Sequence, residues 1–288
     1  MILVYLMGGI GNQMFQYAAG KALAKRIGTE LKVYFNEDEY PYVKYFYHLG
    51  VFKLKVDFPT NEEYKRFKPL KGIAKKIANL LGINANGRIV AQTGFEYFPS
   101  FFETPNDSYI KGFYQSHKFF SSIEQTIQKD FEFAQPATGL NAEFLAEINN
   151  TNSVSVHFRR GDYIYAKRTN EFHGVCSLEY YHEAVERVCS KLDAPTLFIF
   201  SNDMPFVKEN FKTHYAIRYV EQNDFVNSHE DLRLMAACKH NIIANSSFSW
   251  WAAWLNRNPE KMVIAPGRWF AEESINTKDL IPSGWIKI

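Results

Sequence analysis

The stretch "SVSVHFRRGDY" sets a histidine, two adjacent arginines and a carboxylate, His157, Arg159, Arg160 and Asp162, directly after an apolar β-branched run. Ligands of open α/β sheets bind outside the carboxyl ends of the strands, so this cluster stands at a chemically useful place. Neighbouring side chains of an extended chain point to opposite sides, and the two guanidiniums should therefore not share one partner. One arginine is expected to meet a ligand phosphate while the other is held by a carboxylate such as Asp162; the plainer alternative is a solvated pair beyond a strand.

Two further strand ends carry polar groups. "FIFSND" offers Ser201, Asn202 and Asp203 ahead of a helix containing Lys208, where they either cap that helix or touch a ligand. "IIANSSFSWWAAWL" sets Asn245, Ser246 and Ser247 before a helix with Phe248, Trp250 and Trp251. Free backbone N–H groups and hydroxyls at a helix N-terminus make an anion site. Three strand ends thus converge with cationic and hydrogen-bonding character, which suits a nucleoside diphosphate. There is no His/Cys cluster and no Asp-x-Asp pair to hold Mg²⁺ on a diphosphate, so no metal is expected.

The opening "MGGIGNQMFQYAAGKALAKRIG" raises a different chemistry. A dinucleotide fingerprint needs GxGxxG; Gly9 and Gly11 fill its first two places, but Met14 stands in the third. No Lys-Ser or Lys-Thr follows to make a P-loop. The helix begins instead with the amides Asn12 and Gln13, which hydrogen-bond hydroxyls better than they neutralise phosphates. The glycines could equally serve only to turn the chain, with Asn12 as cap.

The elements that would position these residues follow from hydrophobic period. From residue 153 onward, "SVSVHF", "TLFIF", "AIRYV", "NIIAN" and "MVIAP" alternate with "SLEYYHEAVERVCSKL", "MPFVKENFKTH", "HEDLRLMAACK" and "FSWWAAWLNRN". That is the order a parallel sheet with crossover helices requires, and it reads as Rossmann-like. The first half predicts a strand over 1–6, a helix over 13–27 and a strand at "ELKVYF". A basic amphipathic segment "KGIAKKIANLLG", a strand near "DSYIKGFY", and helices over 121–130 and 140–150 follow. Phe15, Ala18, Ala19, Ala22, Leu23 and Ile27 recur at helical spacing, so one face of the first helix should pack on the sheet. The polar "NNTNS" divides the chain into 1–150 and 151–288, with a return of the last residues onto the first half left open.

Composition bounds the function. The 288 residues are 46% hydrophobic and carry a net charge of +2, which excludes a whole-molecule field for nucleic acid. Cys176, Cys189 and Cys238 lack CxxC spacing, so neither a disulfide framework nor a zinc cluster is expected, and a reducing cytoplasm fits. The first apolar run breaks at Gly8, too early for a signal peptide or a bilayer span. Lys65, Arg66, Lys68, Lys71, Lys75 and Lys76 form a basic segment that suits either a solvated helix face or peripheral contact with an anionic inner membrane.

"GGIGNQMFQYA", "HFRRGDY", "FSND" and "CKHNIIANSSFSWWAAWLN", in this order, closely resemble the family-11 glycosyltransferases, the bacterial and animal α-1,2-fucosyltransferases, over residues 8–269. The resemblance implies an α/β, GT-B-like fold: two Rossmann-like domains facing across a cleft, the first on the acceptor side and the second binding GDP-fucose. It implies a metal-independent, inverting transfer of fucose to a galactose 2-hydroxyl, in a galactose-terminated oligosaccharide, free or lipid-linked. Carried over by residue, Arg160 would bind the donor β-phosphate, His157 would lie beside the nucleoside, and Arg159 and Asp162 would brace the motif. Asn245, Ser246, Ser247 and Phe248 would wall the diphosphate site. Ser201, Asn202, Asp203 and Asp224 would face the nucleotide, the two carboxylates being candidates for guanine or ribose. Gly9, Gly11, Asn12 and Gln13 would line the cleft near sugar hydroxyls. The base that takes the acceptor proton stays open among Asp162, His157, Glu37, Asp38, Glu39 and the leaving phosphate. Three rivals also stay open: another fucosyl linkage such as α-1,6, a non-catalytic GDP-sugar or glycan-binding protein, and a nicotinamide oxidoreductase, which Met14 disfavours.

Overall fold

The computed structural model describes residues 1–36, 46–68, 72, 76, 80, 89–161 and 171–288. The chain divides into two compact units, Met1–Glu132 with Lys278–Leu280, and Phe133–Thr277 with Ile281–Ile288. The division therefore falls before the expected boundary at residue 150. The reason is helical packing: the helix Gly139–Asn150 is tied to the second unit by Glu147 to Arg218 and by Asn141 to Asn223. Of the last residues, Lys278–Leu280 belong to the first unit, where the Asp279 carboxylate accepts from the Tyr97 amide and pairs with Lys118.

The first unit is built on β1 (Ile2–Leu6), α1 (Ile10–Ile27), β2 (Leu31–Phe35), α2 (Asn61–Phe67), β3 (Ile89–Ala91), β4 (Ser108–Lys111) and α3 (Glu124–Asp130). Its four strands are parallel in the order β2-β1-β4-β3. β1 is buried at every residue, as a central strand covered on both faces must be. α1 is buried on most of its circumference rather than along one stripe. A Cβ at Gly20 would come within 2.2 Å of Val4 Cγ2 and 3.1 Å of Leu31 Cδ1. Close helix–strand packing, which the third glycine of a dinucleotide fingerprint provides, is thus supplied here six residues further along the helix.

The second unit runs α4 (Gly139–Asn150), β5 (Asn152–Phe158), α5 (Leu178–Cys189), β6 (Pro195–Ser201), α6 (Met204–Asn210), β7 (Ala216–Val220), α7 (Ser228–Ala237), β8 (His240–Ile242), α8 (Ser247–Leu255), β9 (Val263–Ala265) and β10 (Ile286–Lys287). All pairings are parallel and the order is β10-β9-β8-β5-β6-β7. Counted from its own first strand this is the 3-2-1-4-5-6 order of the doubly wound fold. Val154, Val156, Leu197, Ile199, Ile242 and Ile264 from the sheet pack with Tyr181, Val185 and Val188 of α5 in one core.

Candidate functional site

In an open sheet the binding crevice opens where strand order reverses. In the second unit that place is the carboxyl end of β5, with β6 on one side and β8 on the other. Pairing of β5 with β6 continues to Phe158 and Ser201, but pairing with β8 stops at Val156 and Ile242. The chain beyond this point carries His157 to Gly161 from β5 and Asn245 to Phe248 from β8.

His157 is buried, and its ring lies 5.6 Å from that of Phe248. Its Nδ1 has no hydrogen-bond partner among the described residues. Burial first, and then the charge of Arg159, push the imidazole pKa down to about 3, so the ring is neutral at any working pH. That Arg159 acts on His157 agrees with strand alternation, which sets residues 157 and 159 on one side. Ser246 caps α8, its Oγ accepting from the Phe248 amide at 3.3 Å, and no acidic residue stands in the first turn of this helix. A strand end bearing Arg159 and a helix N-terminus therefore flank the switch point.

Arg160 is directed elsewhere. Its amide donates to Asn202 Oδ1 at 2.9 Å, its Nε to Asp203 Oδ2 at 3.3 Å, and its guanidinium carbon lies 3.2 Å from the Phe206 ring centroid. The carboxylate that holds one of the two arginines is Asp203. A Cβ at Gly161 would sit 2.4 Å from Asn202 Nδ2, so glycine there permits the approach of the Asn202 amide. Ser201 Oγ in turn accepts from the Asp203 amide at 2.9 Å. In this structure the "FSND" residues bind the arginine turn rather than standing open. Asp162 lies outside the described residues, as do Glu37, Asp38 and Glu39.

Two more expected contacts have other partners. Asn245 is buried and its Nδ2 donates to the carbonyls of His173, Gly174 and Trp269, while its Oδ1 faces the Cys176 thiol at 3.6 Å. This amide clamps the 173–176 segment to residue 269, beside a cavity of about 320 Å³ that Tyr180, Arg268 and Phe270 also line. Asp224 is exposed beyond the edge strand β7 and accepts from the Asn227 amide at 2.9 Å, a turn contact two strands from β5. Sequence reading missed Asp231 in the first turn of α7, which accepts from Asn223 Nδ2 at 2.7 Å and whose carboxyl burial pushes up to about 7. Acidic residues in a first helical turn are common, and only the surrounding packing marks this one.

The first unit has its own strand-order reversal, between β1 and β4. There Gly8 has φ +73°, and its missing Cβ leaves room for Asn12 Nδ2, which would lie 2.6 Å from it. Gly9 caps α1 with nothing within 4 Å of its Cβ position, and Gly11 is buried in the first turn. Asn12 Oδ1 accepts from Gln115 Nε2 at 2.9 Å. Gln13 is fully buried, with Nε2 donating to the Gly8 and Phe46 carbonyls and Oε1 accepting from the His48 amide. Its amide joins the glycine turn to the 46–48 segment, so of the two expected amides only Asn12 is partly open to solvent. Lys65, Arg66, Lys68 and Lys76 are exposed, whereas Lys71 and Lys75 lie outside the described residues. Among the described residues no helix is long and apolar enough to cross a membrane.

The family model described as glycosyl transferase family 11 matches residues 95–288. An alpha-1,2-colitosyltransferase of Escherichia coli is 30% identical over 100% of this chain and 98% of its own length. An O-antigen biosynthesis glycosyltransferase, WbnK, of Escherichia coli is 29% identical over 98% of this chain and 99% of its own. A crystal structure of POFUT1 in complex with GDP superimposes with a TM-score of 0.53 at 16% identity, covering 92% of this chain and 97% of that one. At that identity the likeness is one of fold, and the α/β units with parallel sheets are of the GT-B-like kind.

Proposed function

The chain belongs to glycosyl transferase family 11, and from that premise we propose that it transfers L-fucose from GDP-β-L-fucose to the 2-hydroxyl of a galactose, with inversion and without a metal. The acceptor would be a galactose-terminated glycan of surface polysaccharide, and the setting cytoplasmic. The observation that carries this reading is the switch point of the second unit, where Arg159 and the N-terminus of α8, with no acidic residue in its first turn, flank one crevice.

Breaking the bond at the anomeric carbon develops oxocarbenium character in the sugar and negative charge on the departing diphosphate. A guanidinium and a helix N-terminus held in place beforehand stabilise that charge without reorganising as it grows. We assign the phosphate contact to Arg159 and a bracing role to Arg160, because the guanidinium of Arg160 is engaged by Asp203 and Phe206. Two fixed positive groups do for the diphosphate what a divalent cation does elsewhere. His157, with a pKa of about 3, is too weak a base to take a hydroxyl proton; its neutral ring and Phe248 make a wall for the nucleotide. Asn12 is assigned to a sugar hydroxyl in the first unit. A lipid-linked acceptor would give the exposed Lys65, Arg66, Lys68 and Lys76 an anionic membrane surface to meet.

The colitosyltransferase relative favours a second reading, in which the donor carries colitose in place of fucose. One experiment tests both. Purified protein is incubated with each donor and a panel of β-galactosides, with and without EDTA, and GDP release is followed by methylation analysis of the product. Acceptor-dependent release that survives EDTA, with a 2-linked galactose in the product, supports the proposal and identifies the donor. Nucleotide binding without release from either donor overturns it in favour of a binding protein, and a different linked position overturns the linkage.

A further inference from the structure

We infer that Tyr180 and Tyr181 are positioning residues of the donor site: their adjacent hydroxyls fasten the two strand ends that flank the crevice and so set the span between Arg159 and the N-terminus of α8. The inference rests on the reading of the second unit as the donor unit.

Successive residues of a helix project about 100° apart, so neighbouring side chains reach different strands. Ser177 caps α5, its Oγ accepting from the Tyr180 amide at 3.3 Å, which fixes both tyrosines in the first turns of the helix. Tyr181 is buried, stacks on Phe158 with ring centroids 3.8 Å apart, and donates its hydroxyl to the His157 carbonyl at 3.0 Å. Tyr180 donates to the Ile243 carbonyl at 2.6 Å, with the Ile264 carbonyl 3.3 Å away. His157 and Ile243 are the residues immediately after the last β5–β8 pair, Val156 and Ile242. The two hydroxyls therefore meet the strands at the point where they part.

Other contacts bind the pair to the site. The Arg159 amide and the Cys176 thiol both act on the Tyr181 oxygen. The two rings meet edge to face with centroids 5.0 Å apart, so movement of one is felt by the other. A diphosphate contacted from two sides is sensitive to the separation of those sides, because a charge-assisted hydrogen bond weakens steeply when its geometry is lost. A nucleoside monophosphate, which lacks the β-phosphate, is less dependent on that separation.

The test compares GDP with GMP. Tyr180→Phe and Tyr181→Phe keep the rings and remove only the hydroxyls, and Val185→Ala, a buried α5 residue away from the crevice, serves as a control for loss of stability. Affinities of GDP and GMP are measured by calorimetry at one ionic strength, with melting curves alongside. The preference for GDP over GMP should fall about 3- to 10-fold in each phenylalanine variant, the worth of one net hydrogen bond, and stay unchanged in Val185→Ala. An unchanged preference in both phenylalanine variants, or an equal fall in Val185→Ala, overturns the inference. Wild-type protein that binds neither nucleotide would instead overturn the donor-site reading on which it rests.

Discussion

The two arginines of the motif should separate cleanly in a pair of alanine variants. In Arg160→Ala the backbone bond to Asn202 Oδ1 survives, because it comes from the amide, and the turn keeps its path. What is lost is the pairing with Asp203 and the contact with Phe206, both partners of the ion pair being only 18% exposed at the side chain. A hydrogen bond to a charged group left unmade costs about 1.5 kcal/mol, and a partly desolvated cation–aromatic contact about 0.5–1 kcal/mol. The sum of about 2 kcal/mol corresponds to a fall in Tm of about 5 °C for a unit of this size. Turnover should drop by no more than about tenfold, the indirect cost of a less firmly held motif. Arg159→Ala removes the group assigned to the growing diphosphate charge, a loss of about 3 kcal/mol, or on the order of 100-fold in kcat/KM.

Steady-state GDP release and thermal melting on the two variants give the comparison directly. A melting cycle over Arg160→Ala, Asp203→Ala and the double variant should return a coupling of about 1 kcal/mol. The reasoning is refuted if Arg160→Ala abolishes turnover at unchanged Tm while Arg159→Ala stays near wild type. That outcome would mean Arg160 leaves Asp203 when the nucleotide arrives.

Other expectations follow from single contacts. Gly20→Ala forces a methyl against Val4 and Leu31 and should cost about 1–3 kcal/mol by chemical denaturation, with no change in the GDP affinity of the folded protein. Gly161→Ala displaces the Asn202 amide, so it should weaken GDP binding more than it lowers Tm. Asp231 has a folded pKa near 7, above its unfolded value, so its contribution to stability is fully present below about pH 4 and lost as pH rises through 7. Asp231→Asn should therefore gain on wild type by about 4 kcal/mol between pH 4 and pH 8, read from urea midpoints; a pH-independent difference would show that the carboxyl does not titrate as described. Reversing the charge of Lys65, Arg66, Lys68 and Lys76 should reduce co-sedimentation with anionic vesicles, and unchanged co-sedimentation would remove the membrane from the proposal.

The second unit was legible because its central strands β5, β6, β8 and β9 are largely buried and read as apolar runs between helices. The edge strand AIRYV matches residue for residue through alternation instead, since it is half exposed. What escaped was short or exposed: β3 and β10 have three and two residues with little burial, too few for any period to show. The positions of site residues were legible while their partners were not. Period-2 alternation separates Arg159 from Arg160, but that Arg160 turns to Asp203, 43 residues away, is a property of how β5 and β6 align. Gln13 and Asn245 look like ligand groups in sequence, since a buried amide and a ligand-binding amide are written with the same letter. Only the carbonyls around them in the fold decide that they are ties.

The chemistry at the two strand-order reversals differs in kind, and that difference is the strongest internal argument for the proposed division of labour. In the first unit the reversal presents the neutral, partly exposed amide of Asn12, bonded to Gln115, with the buried Gln13 amide tying the turn behind it. Groups of this kind donate and accept at once, as a sugar hydroxyl does, and they leave no net charge to be neutralised when the site is empty. In the second unit the reversal carries a guanidinium, a helix N-terminus and an imidazole held neutral, an arrangement that favours an anion and gains no second cation from the histidine. A protonated His157 beside Arg159 would tighten the hold on the diphosphate before and after transfer alike, and would slow its release. Burying the ring beside Phe248 removes that charge, so in the proposed reaction the cationic groups left in place would act on the charge that appears as the bond to the diphosphate breaks.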